Sequence, residues 1–187
     1  AGQSGLVALD GWTTEQMTVK KPAALHVYWP GMNLDTRPKE DFKDKTKWKS
    51  LEDQAKERQM KLLSLEDFFD EARAYDKAVS ADSKKLPTEK TPAWEAMRPY
   101  IRGELPIFVH ADELRQIKAA LKWAQTNQFK IVLVGARDAV MVAKEIAAQK
   151  IPVIYEHIYN QPARDVDRYD VNFRAPEILR TNGITLA

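Results

Sequence analysis

Three short, almost entirely apolar segments, separated by two amphipathic ones, dominate residues 105–155. Apolar runs of this length are typical of strands that are buried on both faces, which is the pattern of parallel pairing. The two intervening segments repeat apolar residues every three or four positions, as helices that lie on a sheet do. The sequence therefore predicts a βαβαβ core with strands at 105–110, 130–135 and 151–155.

The two helices of this core each follow an aspartate that is suited to an N-cap position. Asp112 is expected to cap a helix over 112–126, and Asp138 a helix over 138–149. Beyond the third core strand the chain predicts a long loop, a short helix that starts at Pro176 and a final strand.

Shorter elements are predicted before the core. The amino-terminal residues indicate two strands, 6–9 and 23–29, with a short helical stretch between them, and a Pro-Gly turn closes the second strand. Residues 82–90 have the composition of a loop, and a helix is predicted over 93–102.

The charged segment between the second strand and residue 82 predicts two helices. The first, more polar helix covers 45–63, and the second begins at Ser64, which forms a capping pattern with Asp67. The apolar face of the second helix contains Leu65, Phe68, Ala72, Tyr75 and Val79. We expect the two helices to form a hairpin that is inserted between two strands of the sheet.

Together these elements predict an α/β fold, either a partial (β/α) barrel or an open parallel sheet with flanking helices and the inserted helical hairpin. A complete eight-unit barrel needs roughly 250 residues, and the chain has 187. We expect one α/β domain over 1–187, a fragment of a larger barrel, with a mostly helical insertion at 35–103 and the βα-repeat core at 104–187. A self-contained doubly wound domain is the alternative, which strand order would decide.

Composition excludes several classes of function. Lys plus Arg number 29 against 27 Asp plus Glu, for a net charge of +2, and the two signs are interleaved. This distribution predicts neither a nucleic-acid partner nor a membrane partner. The chain contains no cysteine, which excludes disulfides, thiolate metal sites and cysteine nucleophiles.

His110 is the leading candidate for chemistry, because it ends the first core strand and parallel α/β folds place their sites at such strand ends. A hydrogen-bonded structural histidine under a loop is the open alternative. His26, inside an apolar strand, is expected to be a hydrogen-bonded core residue. The Gly135–Asp138 turn resembles neither nucleotide-binding glycine fingerprint, so we favour a close turn over a phosphate site.

The long loop over 156–174 concentrates acids, arginines and a tyrosine at the carboxyl end of a strand. Loops in this position commonly contact ligands. We predict His157, Arg164 and Tyr169 as substrate-binding residues, while a solvated rim with ion pairs explains the same composition.

Most of the chain resembles the later barrel units of the amidohydrolase superfamily, closest to its imidazolonepropionase-like branch. The resemblance rests on Ile107-Phe-Val-His-Ala111, Lys130-Ile-Val-Leu-Val-Gly-Ala-Arg-Asp138, Ile151-Pro-Val-Ile154, Pro162, Arg164, Asp167, Tyr169 and Asp170, Pro176-Glu-Ile-Leu179 before Gly183-Ile184, and the amino-terminal run Gln3 to Trp12.

That resemblance implies a metal-dependent hydrolase on a (β/α)8 barrel, acting on amide or cyclic amide C–N bonds of a small molecule, with a divalent metal, zinc above all. It makes His110 the metal ligand of the fifth barrel strand. The sixth-strand position falls near Gly135 and holds no histidine, and the first-strand His-x-His and the eighth-strand aspartate would lie outside this chain. We therefore expect the isolated chain to be inactive.

Two further expectations follow. The missing sixth-strand histidine leaves open a non-catalytic α/β module that binds a small ligand or a protein partner. The apolar edges of an open sheet also favour pairing with a second copy, so a homodimer is expected.

Overall fold

The computed structural model describes residues 2–81 and 91–187, and the loop predicted for 82–90 lies outside these residues. The strands are β1 (Gly2–Val7), β2 (Thr18–Tyr28), β3 (Ile107–Ala111), β4 (Ile131–Gly135) and β5 (Val153–Tyr155). The α-helices are α1 (Thr14–Met17), α2 (Leu51–Ala81), α3 (Pro92–Ile101), α4 (Leu114–Asn127), α5 (Ala143–Ala148) and α6 (Val171–Thr181). The chain divides into two compact units, residues 1–29 with 99–187 and residues 30–98.

The first unit contains one five-stranded sheet whose strands follow each other in chain order. β2 to β5 pair in parallel, whereas β1 pairs with β2 in antiparallel fashion. The predicted parallel core is therefore confirmed. A doubly wound sheet reverses its strand order at a switch point, and this sheet does not, so the fold is that of a partial (β/α) barrel, with no closed barrel in the described residues.

Burial alternates along the strands and separates the two faces of the sheet. On β3, Ile107, Val109 and Ala111 are fully buried, whereas Phe108 and His110 are half-buried. Since side chains alternate between faces along a strand, the first set belongs to the core. α4 contributes to this core through Ile117, Ala120, Leu121, Trp123 and Ala124. The second set belongs to the face that carries His110.

The last residues of the chain extend the sheet beyond β5. Leu186 forms a parallel bridge with Val153, and the N–H of Tyr155 donates to the carbonyl of Ala187 over 3.2 Å. α6 begins at Val171, earlier than the predicted start at Pro176, which lies inside the helix. Pro176 predicts a helix start because the missing N–H of proline is harmless in the first turn.

In the second unit the predicted hairpin, made of one helix over 45–63 and a second from Ser64, is wrong, because one continuous α2 of 31 residues replaces the two helices. The same capping pattern occurs earlier in the chain: Ser50 Oγ accepts a hydrogen bond from the N–H of Asp53 over 3.1 Å and donates to that carboxylate over 2.7 Å. No glycine or proline lies between Leu51 and Ala81, so nothing ends the helix at Ser64.

None of the helices in residues 2–81 and 91–187 combines the length and the apolar character that crossing a membrane requires.

The sheet should depend on the buried side chains of its interior strand β4. Leu133 on β4 is 0% exposed, so Leu133→Ala should lower the free energy of unfolding by about 2–5 kcal/mol, through lost burial and a residual cavity. Leu9→Ala is the control, since Leu9 is 91% exposed. Urea unfolding of both variants measures the difference, and equal effects would contradict the burial described for β4.

Candidate functional site

The candidate site lies where the parallel strands end. In register, Tyr28 of β2 is level with His110 of β3, which is level with Val134 of β4. One residue further, Ala111 is level with Gly135. Side chains that follow or end these strands therefore meet at one edge of the sheet, which we call the rim.

His110 is hydrogen-bonded to His26, with 2.8 Å between its Nε2 and the Nδ1 of His26. The two rings have centroids 5.2 Å apart. The ring of Tyr28 stacks on His110 at 4.2 Å with an interplanar angle of 12°. His26 and Tyr28 are two residues apart on β2, so they share a face and both reach the same imidazole.

Sequence reasoning identified His110 but missed its partners. His26 does form the expected hydrogen bond, but it is half-buried rather than fully buried in the core, and its partner is the candidate residue itself. The His26-x-Tyr28 spacing is the sequence pattern that could have identified these partners, because residues two apart on a strand share a face. Recognising it required knowing that β2 lies directly beside β3, which the interposed charged segment conceals.

Burial lowers the pKa of His110, and the neighbouring His26 lowers it further, while Glu156 and Asp112 act in the opposite direction. His110 is therefore neutral near pH 7, since the ordinary value for histidine is already below that. In the hydrogen bond between the two rings, one of the facing nitrogens carries the bridging proton and the other accepts it.

A histidine–aspartate pair joins the ends of β3 and β5. Nε2 of His157 lies 2.6 Å from Oδ1 of Asp112, and Nδ1 of His157 lies 2.8 Å from Nδ2 of Asn160. A carboxylate can only accept a hydrogen bond, so Nε2 of His157 must carry the proton. Both ring nitrogens of this predicted substrate-binding residue are thus engaged within the protein.

The expectation that Asp112 caps the following helix is wrong. Glu113 occupies the N-cap of α4 and forms a capping box with Gln116. The carboxylate of Asp112 instead lies over Gly135, which has a φ of +84°. A Cβ at position 135 would overlap with Oδ1 of Asp112 and lie 3.2 Å from its Cγ.

Asp138 likewise does not cap its own helix, because its side chain forms no N-cap hydrogen bond there. Oδ2 of this buried carboxylate, only 5% exposed, accepts a hydrogen bond of 3.0 Å from the N–H of Leu114, in the first turn of α4, and another from Arg164. The hydrogen bond to Asp138 raises the pKa of Arg164. Asp138 thus holds α4 and the long loop together.

The turn after β4 is the predicted close turn. The N–H of Ala136 donates to the carbonyl of Ala111 over 3.1 Å, and the N–H of Asp138 donates to that of Asp112 over 2.9 Å. These two N–H groups are therefore bonded to carbonyls at the end of β3 and are not free to cradle a phosphate.

Two further predicted substrate-binding residues lie on the loop between β5 and α6. Tyr169 is 84% exposed. Arg164 contacts Asp138 and Asp167. It also lines a cavity of about 100 Å³, together with residues that follow β4 and residues of the loop and of α6. Small-molecule sites are typically about 300–1,000 Å³, so this cavity can hold water or a small group only. The binding roles of His157, Arg164 and Tyr169 stay predictions.

Tyr155, which sequence reasoning passed over, is the buried anchor of the same loop. Its hydroxyl donates to Oδ1 of Asn172 over 3.2 Å, and Asn172 Nδ2 donates to the carbonyls of Asn160 and Gln161. Burial, followed by the negative charge of Asp138, raises the pKa of Tyr155 to about 12. Its hydroxyl therefore remains a donor at neutral pH.

The residues of the rim do not by themselves fit a metal centre. Imidazole is a suitable ligand for zinc, and His26 and His110 supply two. In the part of the chain that the structure describes, however, no group of three or more histidine, aspartate or glutamate side chains is placed to hold an ion. The facing nitrogens of the pair are also committed to each other.

The architecture is thus part of a (β/α) barrel whose strand ends carry a polar rim. No protein-family model matches the chain, and no curated protein does. Among solved structures, an amidohydrolase from Thermotoga maritima matches with a TM-score of 0.77 and 21% sequence identity. The match covers 100% of this chain and 46% of that protein. The resemblance predicted from sequence is confirmed at the level of the fold, over less than half of that relative's length.

Replacing the buried carboxylate of Asp138 tests the joint that this residue makes between α4 and the long loop. Asp138→Asn keeps an oxygen for Leu114 but removes the charge that pairs with Arg164, so we expect a loss of about 1–3 kcal/mol in the free energy of unfolding. The exposed loop residue Asp165 provides the control Asp165→Asn. Chemical denaturation measures the free energy of unfolding of both variants. No loss of stability in Asp138→Asn would contradict the role of the joint.

Proposed function

We propose that this chain forms the later strands of an amidohydrolase-like hydrolase that acts on amide or cyclic amide C–N bonds of a small molecule. The fold match to part of an amidohydrolase is the observation that carries the proposal. The position of His110, half-buried at the carboxyl end of a parallel strand, supports it, because barrel enzymes place their reacting groups there.

In this proposal the site binds a divalent metal, which the resemblance indicates is zinc. The remaining ligands of that metal would come from the rest of a longer protein. His110 would contribute one imidazole, which its lowered pKa keeps neutral and therefore able to act as a ligand. His26 would orient that ring through the shared hydrogen bond, and Tyr28 would cover one of its faces.

The loop over 156–170 would close one side of the substrate site. Tyr169 would offer an exposed aromatic ring to the substrate. His157 and Arg164 would line the substrate site. Because they remain hydrogen-bonded to Asp112 and Asp138, their side chains would have little freedom to reorient.

A second candidate function is a non-catalytic α/β module that binds a small ligand or a protein at the same rim. Two observations favour it: the described residues contain no three-ligand group, and the end of β4 is filled by Asp112. The surrounding reading frame separates the candidates. A His-x-His upstream and an aspartate shortly downstream would support the hydrolase, whereas the lack of both would favour the binding module.

Metal analysis of the purified chain tests the incomplete site. We expect less than one equivalent of zinc by inductively coupled plasma mass spectrometry, no loss of metal on His110→Ala, and no hydrolysis of amide or cyclic amide substrates. His157→Ala is the matched control, because it removes an imidazole from the same rim. One equivalent of zinc, lost on His110→Ala and kept on His157→Ala, would show that the chain holds a metal by itself.

We also propose that the chain forms a homodimer through the edge of its sheet. β1 is paired on one side only in the described residues, and Leu6 and Val7 on it are more than half exposed. Such edges favour pairing with another strand.

Light scattering at increasing concentration should show a dimer, and Leu6→Lys should shift the chain to monomer because a charge on an edge strand opposes pairing. A monomer at high concentration would contradict this prediction.

A further inference from the structure

We infer that Asp112, held by His157 over Gly135, is a further residue of the rim and takes the place where the resemblance predicts a histidine ligand on the sixth barrel strand. β4 itself then contributes no side chain to the site. Position 135 carries glycine because the neighbouring strand supplies the polar group there. The inference deepens the proposed function by changing which residues of this chain can serve it.

Position 135 has no room for a side chain. An added Cβ at Gly135 meets Oδ1 of Asp112 at overlapping distance, with Cγ at 3.2 Å and Oδ2 at 3.6 Å. Position 135 also has a φ of +84°, which disfavours any side chain. A histidine at this position would need the Asp112 carboxylate to leave.

The carboxylate of Asp112 is held in place. His157 donates to its Oδ1 over 2.6 Å, and the ring of His157 is itself fixed by Asn160 and packs edge-on against Tyr155 at 5.9 Å. The backbone of Asp112 is fixed as well, because its N–H donates to Gln116 and its carbonyl accepts from Asp138. A carboxylate with these constraints cannot swing aside at low cost.

The pair of Asp112 and His157 leaves one carboxylate oxygen available at the rim. The side chain of Asp112 is 45% exposed, while that of His157 is 14% exposed. Oδ1 is used by His157, so Oδ2 is the acceptor that remains for a ligand or a water at the rim. Asp112 follows His110 by two residues and acts on it electrostatically. The end of β3 thus provides an imidazole and a carboxylate, and His157 is the positioning residue for the carboxylate.

A matched pair of glycine substitutions isolates the contact. Gly183 has a φ of +81°, close to that of Gly135, but an added Cβ there meets nothing within 4 Å. Gly183→Ala therefore carries the backbone strain alone, and Gly135→Ala carries the strain plus the clash with Asp112. In urea unfolding, we expect Gly135→Ala to raise the unfolding equilibrium constant at least tenfold more than Gly183→Ala does.

The double variants identify the clashing group and its clamp. In an Asp112→Ala background the effect of Gly135→Ala should fall to within about threefold of that of Gly183→Ala, and a His157→Ala background should reduce it in part, because the freed carboxylate can move. Equal effects of the two glycine substitutions in the wild-type background, or additive effects in the Asp112→Ala background, would overturn the inference.

A spectroscopic measurement keeps the inference testable if Gly135→Ala does not fold. Long-range ¹H–¹⁵N correlation of the imidazole rings should show His157 protonated at Nε2 in the wild-type chain, with a shifted Nε2 resonance in Asp112→Ala. An unchanged His157 ring, or a proton at Nδ1, would overturn the inference. These experiments use neither metal nor substrate, so their failure leaves hydrolysis undecided, and the zinc measurement does not decide them.

Discussion

The parallel pairing of β3 with its two neighbours is the constraint on which the rest of the structure depends. Parallel strands bring their carboxyl ends to one edge, so residues far apart in sequence meet there: His26 is 84 positions from His110, and His157 is 45 from Asp112. The pairing is stable because Ile107, Val109 and Leu133 are fully buried. The polar rim therefore rests on an apolar layer that has no chemistry of its own.

The rim contains two imidazoles with different surroundings. His110 is hydrogen-bonded to another imidazole and stacked on an aromatic ring, so burial and the neighbouring His26 define its state. His157 is tied to a carboxylate and an amide, so hydrogen bonds define its orientation. The first arrangement leaves a neutral group beside the open face of the sheet, whereas the second fixes a negative charge next to it.

The core strands, their direction and the place of His110 could be predicted from the sequence, because apolar runs and helical periods are local patterns. The roles of Asp112 and Asp138 could not. An aspartate before a helix fits an N-cap, but Glu113 takes that position in α4 while Asp138 serves the first turn of α4 from the next strand end. The start of the continuous α2 cannot be predicted for a related reason, since the same capping pattern occurs at Ser50 and at Ser64. Contacts between strand ends depend on register, which no single segment encodes.

The joint at Asp138 has a consequence for motion at the rim. Its carboxylate accepts from the first turn of α4 and from Arg164 of the loop at the same oxygen. If the loop lifted away, the buried carboxylate would keep only Arg137, whose Nε lies 3.8 Å from Oδ1, and the amide of Leu114. Opening of the loop would therefore loosen the carboxylate that also holds the amino-terminal turn of α4, and a ligand that orders the loop would also protect the amides of that turn from exchange with solvent.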